Sequence, residues 1–146
     1  MPEPSQLVAA YAAAVDGRDL DALRVLFLPD ATLSVRRGRR EPEVHRGHAA
    51  LADAIEALGA FEMTLHEVSS VLVEPDEDGE GARGTSVCVA HHVRRAEGEE
   101  TAREAEDLIL HGRYTDRFAR DEQGRWRFAT RELHVLWTEK RPVRLP

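Results

Sequence analysis

The chain is written in two periods, and the change between them near residue 60 limits what it can fold into. Residues 64–73, 85–95, 106–120 and 125–138 are long runs rich in β-branched and aromatic residues, the pattern of extended strands. The segments between them, 75–81, 96–100 and 121–124, are acidic or glycine-bearing, which is turn material. Consecutive strands joined so briefly predict an antiparallel meander. Such a sheet is stable only if something apolar covers one of its faces.

The first part of the chain supplies that cover. Over residues 5–17, Leu7, Val8, Tyr11, Ala12 and Val15 recur at helical spacing, with Ser5 expected as N-cap. Asp19 is expected to cap a second helix that runs through Leu20, Leu23, Leu26 and Phe27 until Pro29 and Asp30 stop it. Residues 31–35 read as a short strand and 36–46, charged and containing glycine and proline, as a loop. A third helix is expected over 47–58, with Ala50, Leu51, Ala54, Ile55 and Leu58 on one side and Gly59 at its end. Three helices followed by four strands predict an α+β fold, and 146 residues suit a single domain, 1–146.

A net charge of −7 argues against a general affinity for nucleic acid or for an anionic membrane surface. The densest basic cluster, Arg36, Arg37, Arg39 and Arg40, is followed at once by Glu41 and Glu43 and reads as a solvated loop. Cys88 is the one cysteine, so no intrachain disulfide is possible, and it reads as a small buried hydrophobe. The first residues lack the basic start and apolar core of a signal peptide, and no stretch approaches the length of a membrane span. A cytoplasmic location is therefore expected. Seven histidines include no HxH or HExxH spacing, no glycine-rich phosphate loop is present, and neither metal nor cofactor is expected.

Three local patterns carry a family likeness. The first is Tyr11, Asp16, Gly17, Asp19, Asp21 and Leu23 followed by Leu26, Phe27, Pro29, Asp30 and Ala31; the second is the segment 66–73 that His66 opens. The third is Tyr114, Asp116 and Phe118 with Trp126 and Phe128. In this order and spacing, over nearly the whole chain, they resemble the SnoaL-like branch of the nuclear-transport-factor-2-like superfamily. The resemblance implies a cone-shaped, curved antiparallel sheet backed by three N-terminal helices around an apolar pocket. In dehydratases and dehydrochlorinases of this superfamily an aspartate ending the first helix and a histidine opening the second long strand form the catalytic pair, and Asp16 and His66 fall on those positions. The dehydrochlorinases have an arginine beyond the last-strand tryptophan that Arg131 matches, and the dehydratases a second pocket histidine that His91 resembles. Two pocket tyrosines of the dehydratases are replaced by Val15 and Val35 and a pocket asparagine by Tyr114, so the polar pattern is redrawn.

On this likeness His66 is the expected base, Asp16 the partner that fixes its tautomer, and Arg131 the electrophile. The implied activity is that of a cofactor-independent lyase or isomerase, a dehydratase, isomerase or cyclase, acting on a small cyclic or polyketide-like carbonyl compound. Tyr11, Val15, Phe27, Val35, His91, Tyr114 and Trp137, with Leu33, Phe61 and Val89, are the expected wall around a small apolar or aromatic ligand. The alternative is a ligand-binding or assembly module without chemistry. An Asp16–His66 separation within about 3.2 Å favours the enzyme, and a pocket filled by Val15, Val35 and Trp137 favours the module. Strict alternation from Trp126 puts Arg131 on the opposite face unless a bulge intervenes, and of the adjacent pair His91 and His92 only one can face inward. Apolar or small residues on both faces of the strand expected over 85–95, Val87, Val89 and Val93 against Cys88, Ala90 and His92, predict a homodimer through the sheet.

Overall fold

In the computed structural model, which describes residues 2–96 and 102–146, the chain opens with helix α1, Pro4–Asp16. The helix starts ahead of Ser5, because Pro4 needs no N–H partner at the first helical position and Glu3 serves as the cap. The Glu3 backbone N–H donates to the Gln6 side chain at 2.7 Å. Asp19 caps helix α2, Leu20–Arg24, accepting from the Ala22 N–H at 2.9 Å. This helix ends before Leu26 and Phe27, which instead lead into strand β1, Phe27–Arg37. Pro29 and Asp30 therefore do not stop a helix. They lie in a break of strand pairing between Phe27 and Thr32, where a missing N–H costs nothing.

The expected loop 36–46 is largely a hairpin, since β1 continues to Arg37 and β2, Glu43–Arg46, pairs back antiparallel onto it. Helix α3, Gly47–Glu56, then passes into a short 3₁₀ turn, Ala57–Ala60. The four long strands follow as expected: β3, Met63–Pro75; β4, Gly81–Arg95; β5, Glu104–Arg120; and β6, Trp126–Arg144. Residues 97–100 of the acidic turn expected between β4 and β5 lie outside the described residues.

The strands form one curved, unclosed sheet in the order β2-β1-β6-β5-β4-β3. All neighbours are antiparallel except β1 and β6, which run parallel. Leu7, Val8 and Val15 of α1 and Leu51 and Ile55 of α3 are buried together with Cys88, Ala90, Leu110, Phe118 and Phe128 of the sheet. Each large apolar side chain enclosed there contributes roughly 1.5–3 kcal/mol of transfer free energy.

Two bulges in β6 decide which of its residues look inward. Arg117 pairs with Thr130 and Phe118 with Phe128, which leaves Ala129 over. Gly112 pairs with Val135 and His111 with Trp137, which leaves Leu136 over. Each extra residue resets the alternation of the strand. Phe128, Arg131 and Leu133 thus share the inner face, while Trp137 is turned to the outer one. Among the described residues no helix is long and apolar enough to cross a membrane.

Candidate active site

Asp16 is the last residue of α1, the chain leaves the helix through Arg18, whose φ is 53°, and the carboxylate projects from the helix end toward β3. Three groups of β3 hold it. The Thr64 hydroxyl and His66 Nδ1 reach Oδ1 at 3.0 and 2.6 Å, and the His66 backbone N–H donates to Oδ2 at 2.8 Å. A carboxylate only accepts, so Nδ1 carries the proton and Nε2 of neutral His66 is left as the acceptor. The side chain of His66 is 8% exposed and that of Asp16 21%. The pair is sheltered without being sealed.

Beside the pair lies a cavity of about 250 Å³ under α1, α3 and the β1–β2 hairpin. Tyr11, Val15, Leu33, Val35, Leu110 and Tyr114 form much of its wall, and Arg37, Glu43 and His45 are also part of its lining. Val15 and Val35 border this space without filling it. Of the residues expected from the sequence, Asp16, His66, Tyr11, Val15, Val35, Leu33 and Tyr114 are thus brought together.

Four expected residues go elsewhere, with Phe61 and Val89 also absent from the wall. Phe27 starts β1 behind Tyr11 and packs its ring on Phe128 at 5.0 Å, inside the core. His91 points to the outer face of the sheet, where Asp107 and Glu67 bind its two ring nitrogens at 2.7 and 3.1 Å. The bulge at Leu136 carries Trp137 to the outer face, stacked on His111 at 4.5 Å. Arg131 does face inward, but it is fully buried beneath the rings of Tyr114, Tyr11 and Phe128, with its guanidinium 3.6, 4.4 and 4.8 Å from their centroids. It pairs with Asp116 at 2.9 Å, and the tyrosines that line the cavity stand over it. A direct role as electrophile is therefore closed to it. Burial pushes the Asp116 carboxyl up to about 6 against the opposing pull of Arg131.

His92 takes the inward position that His91 was expected to hold. It pairs across from Thr64, its ring lies 6.0 Å from that of His66, and it lines the cavity. Its Nδ1 meets the Leu108 carbonyl at 3.1 Å and must donate to it, which leaves Nε2 as an acceptor. Burial lowers its pKa, so it stays neutral at physiological pH. Burial raises both tyrosines, so the phenols remain protonated donors. The cavity therefore has acceptor nitrogens on the β3–β4 side and phenol donors from α1 and β5.

The profile of a family described as the SnoaL-like domain matches residues 4–132. No curated protein matches the chain. Among solved structures, a protein assigned as a scytalone dehydratase from Novosphingobium aromaticivorans is 26% identical, with a TM-score of 0.71 over 96% of this chain and 86% of its own. A hexachlorocyclohexane dehydrochlorinase from Novosphingobium barchaimii is 16% identical, with a TM-score of 0.75 over 92% of this chain and 85% of its own. A protein from Kribbella flavida is 22% identical, with a TM-score of 0.72 over 92% of this chain and 88% of its own. The last two are likenesses of fold.

Proposed function

The chain belongs to the SnoaL-like domain family, with the nuclear-transport-factor-2-like fold, and from that premise we propose that it is a cofactor-independent lyase or isomerase that takes a proton from carbon beside a carbonyl. The observation that carries this reading is the 2.6 Å contact of His66 Nδ1 with Asp16 at the edge of a largely apolar cavity. Asp16 holds the tautomer and balances the imidazolium that forms when Nε2 takes the proton. The resulting enolate can lose a leaving group, be reprotonated elsewhere or attack a second carbonyl, which gives dehydratase, isomerase or cyclase outcomes. A positioned base accounts for about 10²–10⁴ in rate. His92, neutral and with a free Nε2, is suited to accept a hydrogen bond from a substrate hydroxyl.

A small cyclic or polyketide-like carbonyl compound fits the apolar wall of Val15, Leu33, Val35, Ile55, Leu58 and Leu133. The test is deuterium incorporation from D₂O into a panel of cyclic ketones and hydroxylated cyclic carbonyls, followed by mass spectrometry. Wild type is expected to exchange at least one member of the panel, and His66→Ala to lose about 10²-fold or more of that rate. Equal rates for the two proteins, with ligand binding retained, would instead identify a binding module.

A further inference from the structure

Removing a proton from carbon leaves negative charge on the carbonyl oxygen, and a protein that does this in a partly dry cavity needs a donor aimed at that oxygen. The residue expected to supply it, Arg131, is buried behind the wall. Of the three imidazoles that line the cavity, His66 and His92 present acceptor nitrogens when neutral, and His45 stands on the partly exposed β1–β2 hairpin. Arg37 is an exposed side chain of the β1–β2 hairpin, where water competes with any ligand. What remains within the enclosed part is a pair of phenols, Tyr11 on α1 and Tyr114 on β5, whose rings meet edge to face at 6.0 Å.

Resting on the reading of His66 as base, we propose that the Tyr11 hydroxyl, with Tyr114 beside it, is the donor that holds the substrate oxygen and carries its developing negative charge. Three observations support this. Both tyrosines line the same cavity as His66, so one bound molecule can meet the phenols on one side and the base on the other. Burial raises the Tyr114 phenol further than that of Tyr11, where Arg131 and the neighbouring Tyr114 oppose the rise, which makes Tyr11 the stronger donor of the pair. The Arg131 guanidinium lies against both rings, and its pull on each phenol exceeds the opposing push of Asp116. The net field behind the phenols therefore favours anionic charge in front of them. The ligand class that follows is one with an enolate-like or phenolate-like oxygen on a small ring.

4-Nitrophenol, whose ionised form mimics an enolate oxygen and absorbs visibly, is the probe, and nitrobenzene, which lacks that oxygen, is its control. Wild type is expected to bind 4-nitrophenolate more tightly than nitrobenzene and to shift the ionisation of the bound probe to lower pH. Tyr11→Phe keeps the ring packing and is expected to weaken 4-nitrophenolate about 10-fold or more, the worth of a hydrogen bond to a charged group, with nitrobenzene affinity within about twofold as the check on cavity integrity. Tyr114→Phe is expected to fall between. The proposal is overturned if wild type shows no preference for the phenolate, if Tyr11→Phe binds it as wild type does, or if His66→Ala abolishes the preference, which would make the imidazolium the donor. His66→Ala that keeps the phenolate preference yet exchanges ketone protons at the wild-type rate would overturn the function proposed above and leave this assignment standing.

Discussion

Three hydrogen bonds converge on Asp16, and they fasten the end of α1 to β3 while they orient His66. One carboxylate thus fastens the helix end and fixes the imidazole together. At Arg131 a single inward residue is engaged with a buried carboxylate instead of with a ligand. Because both members are fully buried, removing one leaves the other without compensation. Arg131→Met is expected to cost about 3–5 kcal/mol at pH 8. Without the cation the carboxyl of Asp116 is pushed above even its raised value of about 6. A raised carboxyl contributes stability at low pH and loses it as pH rises, so the deficit of the variant should be smaller at pH 5, and the double change Arg131→Met with Asp116→Leu should recover much of it. Urea unfolding at the two pH values measures this, and an equal deficit at both would show that Asp116 does not titrate there. Asp16 and His66 were legible as a pair through the family likeness, which aligns the end of the first helix and the start of a long strand with the positions they hold. Whether an inward arginine meets solvent or a buried aspartate depends on Asp116 of the neighbouring strand, which no local pattern encodes.

Element by element, the order was readable and the parities were not. The four long strands announce themselves by composition, whereas β2 is four residues long and lies in a charged hairpin without alternation to betray it. In β4 the valines at 87 and 89 face outward and the small residues Ser86, Cys88 and Ala90 face the helices, a parity that puts His92 inside where the family likeness points to His91. The register settles the choice: Thr64 is opposite His92, and Ala90 is opposite His66. The bulge at Ala129 is invisible to strict alternation, yet it is what lets Phe128 and Arg131 share a face. Turned outward, His91 clips three strands together, bound to Asp107 of β5 and Glu67 of β3. The hydrogen bond that it donates to Asp107 chiefly, and that to Glu67 next, raise its pKa against the effect of burial. A histidine raised in the folded state contributes stability that is complete below its unfolded value of about 6.5 and is lost as pH rises through the folded value. The difference in melting temperature between wild type and His91→Gln should therefore be larger at pH 6 than at pH 8.5. A difference that does not change with pH would mean that the clip acts through neutral hydrogen bonds alone.

At the scale of the whole molecule, among the described residues the helices cover one face of the sheet and leave the other bare, a consequence of three helices meeting a sheet of six strands. The bare face is not uniformly polar. Leu65 and Trp137 are 56% and 57% exposed on it, with Val87 and Val89 partly exposed between. Around them stand paired charges, Glu139 with Arg141 and His111, and the His91 cluster with Asp107 and Glu67. An apolar centre within a rim of groups that already satisfy one another is the composition of an interface that need not strand a charge when it closes. We propose that this face meets a second copy of the chain, since a two-fold pairing sets the same patch against itself and needs no other partner. A stable pairing would bury on the order of 1,200–2,000 Å² in total, and Trp137, large, exposed and already held flat by its stacking on His111, is the side chain whose loss should weaken it most. Sedimentation equilibrium at micromolar concentration is expected to give twice the 16.4 kDa chain mass for wild type. Trp137→Glu sets two like charges near each other at the pairing and should give the single-chain mass with the ketone exchange rate unchanged, because the cavity lies on the other side of the sheet. A single-chain mass for wild type under the same conditions would show that the bare face is simply solvated, and that the valines of β4 face water as the cost of keeping small residues under the helices.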